Sequence, residues 1–224
     1  MHTDLREGHV AHQVVQAATE LKADLVVVGS RGLSGVKRFF LGSVSQQVMT
    51  YAPCSVLVAR EPQDTSAETI ETATAPYGEG DVPWRLLVAD DGSPMVQQAI
   101  ETLALLPLEA RTEILVLTVL TLITSYRMDI LQTMSASWQE QKQAAQACLE
   151  RSAQVLRRAT PHVTVQLREG EDPGQEIVEA AQAFGATLIV MGHRGRSRIE
   201  RFLMGSVANR VVQHAPCSVW VVRK

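Results

Sequence analysis

Leu188-Ile189-Val190-Met191-Gly192-His193-Arg194-Gly195, followed after nine further residues by Gly205-Ser206, is the stretch that decides how this chain folds. Its start is a short apolar run of strand type, and its end opens a helical pattern. Glycines let a backbone approach a phosphate closely, and the start of a helix leaves N–H groups free to face an anion. The spacing Gly-x2-Gly-x9-Gly-Ser therefore reads as a cradle for nucleotide phosphates. It occurs a second time, at Gly29, Gly32, Gly42 and Ser43, again after an apolar run.

Residues 23–60 align without a gap on residues 186–223, and 20 of the 38 positions are identical. Two copies so far apart indicate a duplicated domain rather than a short-period solenoid. The copies are unequal, since the second has a long segment upstream and the first has almost none. The expected organisation is a partial domain over residues 1–60, a linker over residues 61–82 and a complete domain over residues 83–224. Residues 61–83 carry six acidic side chains and no Lys or Arg, with abundant Thr, Ala, Pro and Gly and no apolar period. Such a stretch reads as solvated.

The net charge of -3 thus hides a folded remainder near +3, a balance that gives no reason to expect nucleic-acid binding. With 46% hydrophobic residues the chain has material for a sizeable core. No apolar run approaches the length of a membrane span, and the first residues lack the pattern of a secretory signal, so a cytoplasmic location is expected. Cys54 and Cys217 occupy equivalent repeat positions and Cys148 sits in a helical stretch, with no spacing that would bind a metal. All three read as small buried hydrophobes.

From Trp84 onward strands and helices alternate. Leu86–Ala89 is a buried-strand run, Ser93-Pro94 caps a helix, and further strands are expected at residues 114–119, 162–167, 188–191 and 219–222. Helices are expected after residue 94, up to about Ala159, over residues 173–184 and over residues 205–214. Short continuous apolar strands separated by helices indicate a parallel sheet covered on both faces. Ligands of such sheets bind at the carboxyl ends of the strands, where strand order reverses. Two segments end strands with suitable chemistry: Ala89-Asp90-Asp91-Gly92-Ser93 and Met191-Gly192-His193-Arg194-Gly195. A carboxylate in the first can accept from the amine of a base, although Asp91 equally suits a turn and capping role. Arg194, Arg196, Arg198 and Arg201 add positive charge near the second. His193 reads as a loop residue without ligand duty.

These residues resemble the universal stress protein family, a Rossmann-like branch of the α/β folds related to the adenine nucleotide alpha hydrolases. The resemblance implies an open parallel five-stranded sheet of order 3-2-1-4-5 flanked by helices, with a partial second copy beside it. The intact glycine signature favours the family's ATP-binding class. It implies that Gly192, Arg194, Gly195, Gly205, Ser206 and Val207 hold ribose and phosphates, while Ala89, Asp91, Val119 and Met191 lie against adenine. Magnesium or manganese accompanying ATP would be held by the phosphates, Ser206 and waters, not by a protein cluster. The first copy has Gly29, Gly32, Gly42 and Ser43, with Arg31, Lys37 and Arg38 nearby, but no adenine wall. At best it is a weak second site.

By the same resemblance Val56–Val58 would pair with Val219–Val221 through fifth-strand edges, and the strand at residues 25–28 would be left as an open apolar edge. Two explanations of the half-domain stand side by side: a shortened start, or a natural half completed by the other domain or by a second chain. A homodimer is expected. The leading function is a nucleotide-dependent regulatory or sensor protein acting in stress. The alternatives are a slow ATP hydrolase, for which no phosphate-binding lysine loop is present, and a nucleotide-free dimeric scaffold.

Overall fold

The computed structural model describes residues 2–30, 41–60, 84–121, 128–195 and 204–223, with backbone alone for residues 128–136. The expected linker and residues 31–40 and 196–203 lie outside the described residues. In chain order the elements are α1 (Val10–Glu20), β1 (Leu25–Gly29), α2 (Ser43–Tyr51), β2 (Ser55–Ala59), β3 (Arg85–Ala89), α3 (Pro94–Leu105) and β4 (Glu113–Thr121). Then follow α4 (Met128–Leu156), β5 (Val163–Gly170), α5 (Pro173–Phe184), β6 (Leu188–Gly192), α6 (Ser206–His214) and β7 (Ser218–Val222).

Local chemistry explains the boundaries near the site. Ser93 accepts from the Val96 N–H and Asp172 from the Gln175 N–H, each ahead of a proline at the first helical position. Gly185 ends α5 in the left-handed region at φ 67°, which a side chain would strain.

The strands form one sheet of order β1-β2-β7-β6-β3-β4-β5. Its last five strands, all parallel, reproduce the expected 3-2-1-4-5 order. The expectation of five strands needs correction, because β2 joins β7 antiparallel and carries β1 with it, giving seven. Strand alternation divides the core. Leu87, Ala89, Ile189 and Met191 point to the layer of α5 and α6, while Leu86, Val88 and Val190 point to the layer of α3 and α4.

The β2–β7 seam has a local two-fold character. Leu57 faces Trp220, flanked by Val56 against Val221 and Val58 against Val219, so equivalent repeat positions exchange places. The arginine after each strand binds the far half. Arg60 donates to the carbonyls of Ala215 at 3.0 Å and Val212 at the end of α6. Arg223 donates to those of Ala52 at 2.9 Å, Thr50 at 3.2 Å and Met49 at the end of α2. Positive charge at a helix C-terminus opposes the dipole and satisfies the last carbonyls.

The expected contact between fifth strands is therefore made inside the chain. With β2 and β7 paired on both sides, neither offers a free edge to a second molecule, which corrects the expectation of a homodimer through those edges. Among the described residues the sheet's edge strands are β1 and β5, and β1 is the more exposed. There Val27 is 58% exposed while its repeat counterpart Val190 is fully buried. The difference has a simple cause: α3 packs over Val190, and among the described residues no helix lies over Val27.

Candidate functional site

A cavity of about 280 Å³ opens at the carboxyl ends of β3, β4 and β6, beside the N-terminus of α6. This is the point where strand order reverses, since the chain leaves β3 toward β4 on one side and returns to β6 on the other. Each of the ten residues predicted for the main site lines it: Ala89, Asp91, Val119, Met191, Gly192, Arg194, Gly195, Gly205, Ser206 and Val207. Of the remaining arginines predicted nearby, Arg196, Arg198 and Arg201 lie outside the described residues.

The glycines are explained by close approach. A Cβ on Gly192 would stand 3.1 Å from the Arg194 carbonyl and 3.2 Å from Val96 Cγ2, tighter than ordinary contact. One on Gly195 would stand 3.3 Å from Asp91 Oδ2. At Gly205 it would meet the backbone of residues 193–195 from 3.4 Å outward. Gly205 caps α6 with no side-chain hydrogen bond, so among the described residues the first N–H groups of that helix have no capping side chain. The Gly205 N–H itself donates to the His193 carbonyl at 2.9 Å and fixes the loop to the helix start.

Electrostatics at this mouth favour an anion. The positive end of the α6 dipole and Arg194 lie on one side. His193 adds no charge at neutral pH, because burial, then Arg223 and Arg194, pull its pKa down to about 4. Its ring packs against Met95 and the Val222 carbonyl, as befits a loop residue. Asp91 accepts from the Ser93 N–H through Oδ1 at 3.0 Å and turns Oδ2 toward Gly195.

Val96, Leu117, Thr121, Pro173 and Ile177 also line the cavity and were not predicted. For two of them the sequence holds a signal. Thr121 continues the alternation that puts Val119 on the same face, and Pro173 begins a helix that must start at the strand tips because it follows β5. Asp90 was expected beside Asp91. It lines the cavity, yet its carboxylate turns into the α3–α4 layer.

In the first copy, Gly29, Gly42 and Ser43 repeat the arrangement, while Gly32 lies outside the described residues. Gly42 has φ -64° and ψ 150°, against -64° and 151° at Gly205, and its N–H donates to the Ser30 carbonyl at 2.8 Å. Among the described residues nothing stands where β3 and β4 stand in the second copy. Neither copy gathers a metal site: among the described residues no three His, Cys, Asp or Glu side chains cluster. No helix among them is long and apolar enough to cross a membrane.

A sheet with helices on both faces and a glycine-lined cleft at its strand-order switch defines a doubly wound α/β protein. The universal stress protein family model matches residues 2–60 and 84–223, and the chain belongs to that family. It is 29% identical over 224 residues to a universal stress protein of Mycolicibacterium smegmatis, covering 99% of this chain and 68% of that relative. To one of Methanocaldococcus jannaschii it is 43% identical over 63 residues, 28% of this chain and 37% of the other. In fold it is similar to the crystal structure of a universal stress protein from Archaeoglobus fulgidus. The TM-score is 0.54 at 22% identity, over 96% of this chain and 65% of that one.

Proposed function

We propose that this protein is a nucleotide-dependent regulatory protein that binds ATP in the cleft between β3, β4 and β6. The observation that carries this reading is the convergence of three strand ends and the bare N-terminus of α6 on one cavity lined by Gly192, Gly195 and Gly205. The triphosphate lies along Gly195, Gly205, Ser206 and Val207, where backbone N–H groups and the helix dipole stabilise negative charge. The base lies deeper, against Ala89, Val119 and Met191. We take Asp91 Oδ2, which lies beside Gly195, to accept from a ribose hydroxyl rather than from the base amine. A divalent ion accompanying the phosphates would be held by them, by the Ser206 hydroxyl and by waters, and would offset their negative charge.

Hydrolysis has less support. In-line transfer needs a group to orient water near the γ-phosphate. Among the described lining residues the carboxylates are Asp90 and Asp91, and Asp90 is occupied in another layer. We further propose that residues 1–60 are a partial domain lending β1 and β2 to the sheet of residues 83–224, and that a second chain pairs with the exposed edge of β1. Mass spectrometry of gently purified protein tests the function. Bound ATP supports the regulator, ADP alone supports turnover, and no nucleotide despite added ATP supports the scaffold. A monodisperse monomer in sedimentation at micromolar concentration would refute the dimer.

A further inference from the structure

Two consecutive carboxylates at the tip of β3 face opposite sides of the sheet. Asp91 turns toward the cavity, and Asp90 enters the layer of α3 and α4, where it is only 2% exposed. Its carboxylate is fully engaged there. Oδ1 accepts from the Gly92 N–H at 2.8 Å and from Gln97 Nε2 at 3.2 Å. Oδ2 accepts from Ser152 Oγ at 2.6 Å and, more weakly, from the Cys148 thiol at 3.8 Å. Gln97 Nε2 also reaches Ser152 Oγ at 3.3 Å and so closes the network. The Asp90 main chain is fixed as well, donating to the Leu117 carbonyl at 2.8 Å and accepting from Thr118 Oγ1 at 2.6 Å.

An apolar side chain would fill that layer without the desolvation cost of a carboxylate. What the carboxylate adds is direction. Its shortest backbone contact is the Gly92 N–H, inside the turn that carries Asp91, and Gly92 holds φ 73°, a conformation that L side chains rarely adopt. The turn is thereby tied to Ser152 on α4, a fully buried residue outside the cavity lining. Fully satisfied buried networks of this kind hold one geometry against alternatives.

We infer that Asp90, braced by Ser152 and Gln97, is a positioning residue for the nucleotide: it holds the turn at residues 90–93 so that Asp91 Oδ2 faces the sugar beside Gly195. The inference rests on reading the cleft as a nucleotide site. A donor removed from α4 then weakens ligand binding although it touches no ligand. A residue that served only the α3–α4 packing would lower stability and leave affinity unchanged.

The test is a double-mutant cycle of Ser152→Ala with Asp91→Ala, read by calorimetric titration of the full chain with ATP. Ser152→Ala alone is expected to weaken ATP by about tenfold, the effect of one misplaced hydrogen bond. In the Asp91→Ala background it is expected to have no further effect, and Ser152→Thr, which keeps the hydroxyl, restores binding. Wild-type affinity in Ser152→Ala, or a tenfold loss that persists without Asp91, overturns the inference while leaving the nucleotide site intact. Wild-type protein that binds no ATP overturns both. Should Ser152→Ala fail to fold, Gln97→Met on the half-buried side of the network replaces it in the same cycle, with the same expectations.

Discussion

Gly205→Val separates the phosphate cradle from the fold that carries it. Gly205 has φ -64° and ψ 151°, which any residue adopts, so the backbone is not strained by the change. A Cβ there meets the His193 carbonyl at 3.4 Å and the Arg194 Cα at 3.5 Å, ordinary contact that alanine would tolerate. Valine adds two methyl groups about 1.5 Å further out, and they must enter either the backbone of residues 193–195 or the cavity. Both displace phosphate from the amides of Ser206 and Val207. Hydrogen bonds to a charged group contribute about 1.5–3 kcal/mol each. Losing two therefore costs about 3–6 kcal/mol, a fall in affinity of more than a hundredfold. Gly205 lies at a half-exposed helix start, so stability should change by no more than about 1 kcal/mol. Calorimetric titration with ATP reads the first number and thermal unfolding the second. Gly42→Val, the same change in the first copy, is the control and should leave the main-site affinity unchanged. Wild-type ATP affinity in Gly205→Val would refute the cradle.

Three further outcomes are expected. Arg223→Met removes the guanidinium that holds the last carbonyls of α2, and should destabilise the protein by about 2 kcal/mol in urea unfolding; an unchanged midpoint would mean that the β2–β7 seam does not depend on it. Leu87→Ala empties a fully buried site in the layer beneath α5 and α6, at a cost of about 2–5 kcal/mol, and an effect below about 1 kcal/mol would contradict the packing described. His193 has its folded pKa lowered from 6.5 to about 4, so the unfolded chain takes up its proton first as pH falls. Its contribution is present above pH 6.5 and is lost between there and about pH 4, a slope that His193→Asn should flatten in chemical unfolding series.

Much of this architecture could be read from the chain because several signals agreed at each element. Proline after a capping residue placed α3, and α5 spans Pro173–Phe184 as its apolar spacing predicts. The resemblance to the family, not the repeat alone, carried the pairing of Val56–Val58 with Val219–Val221, and the structure makes that pairing about a local two-fold. What escaped was direction. Asp90 and Asp91 look alike as adjacent acids, and only the alternation of Leu86, Leu87, Val88 and Ala89 between two cores shows that they must part. Thr121 and Ile177 were missed for a related reason. A cavity wall is assembled from elements far apart in sequence, and the apolar side chains lining it obey the same periodicity as ordinary core.

The central claim is that the cleft beside Gly205 takes an adenine nucleotide, and titration of nucleotide-free protein with ATP tests it most directly. One ATP per chain, displaced by Gly205→Val and indifferent to Gly42→Val, is the predicted result. No saturable binding at millimolar ATP, or binding that survives Gly205→Val and is lost in Gly42→Val, would contradict it.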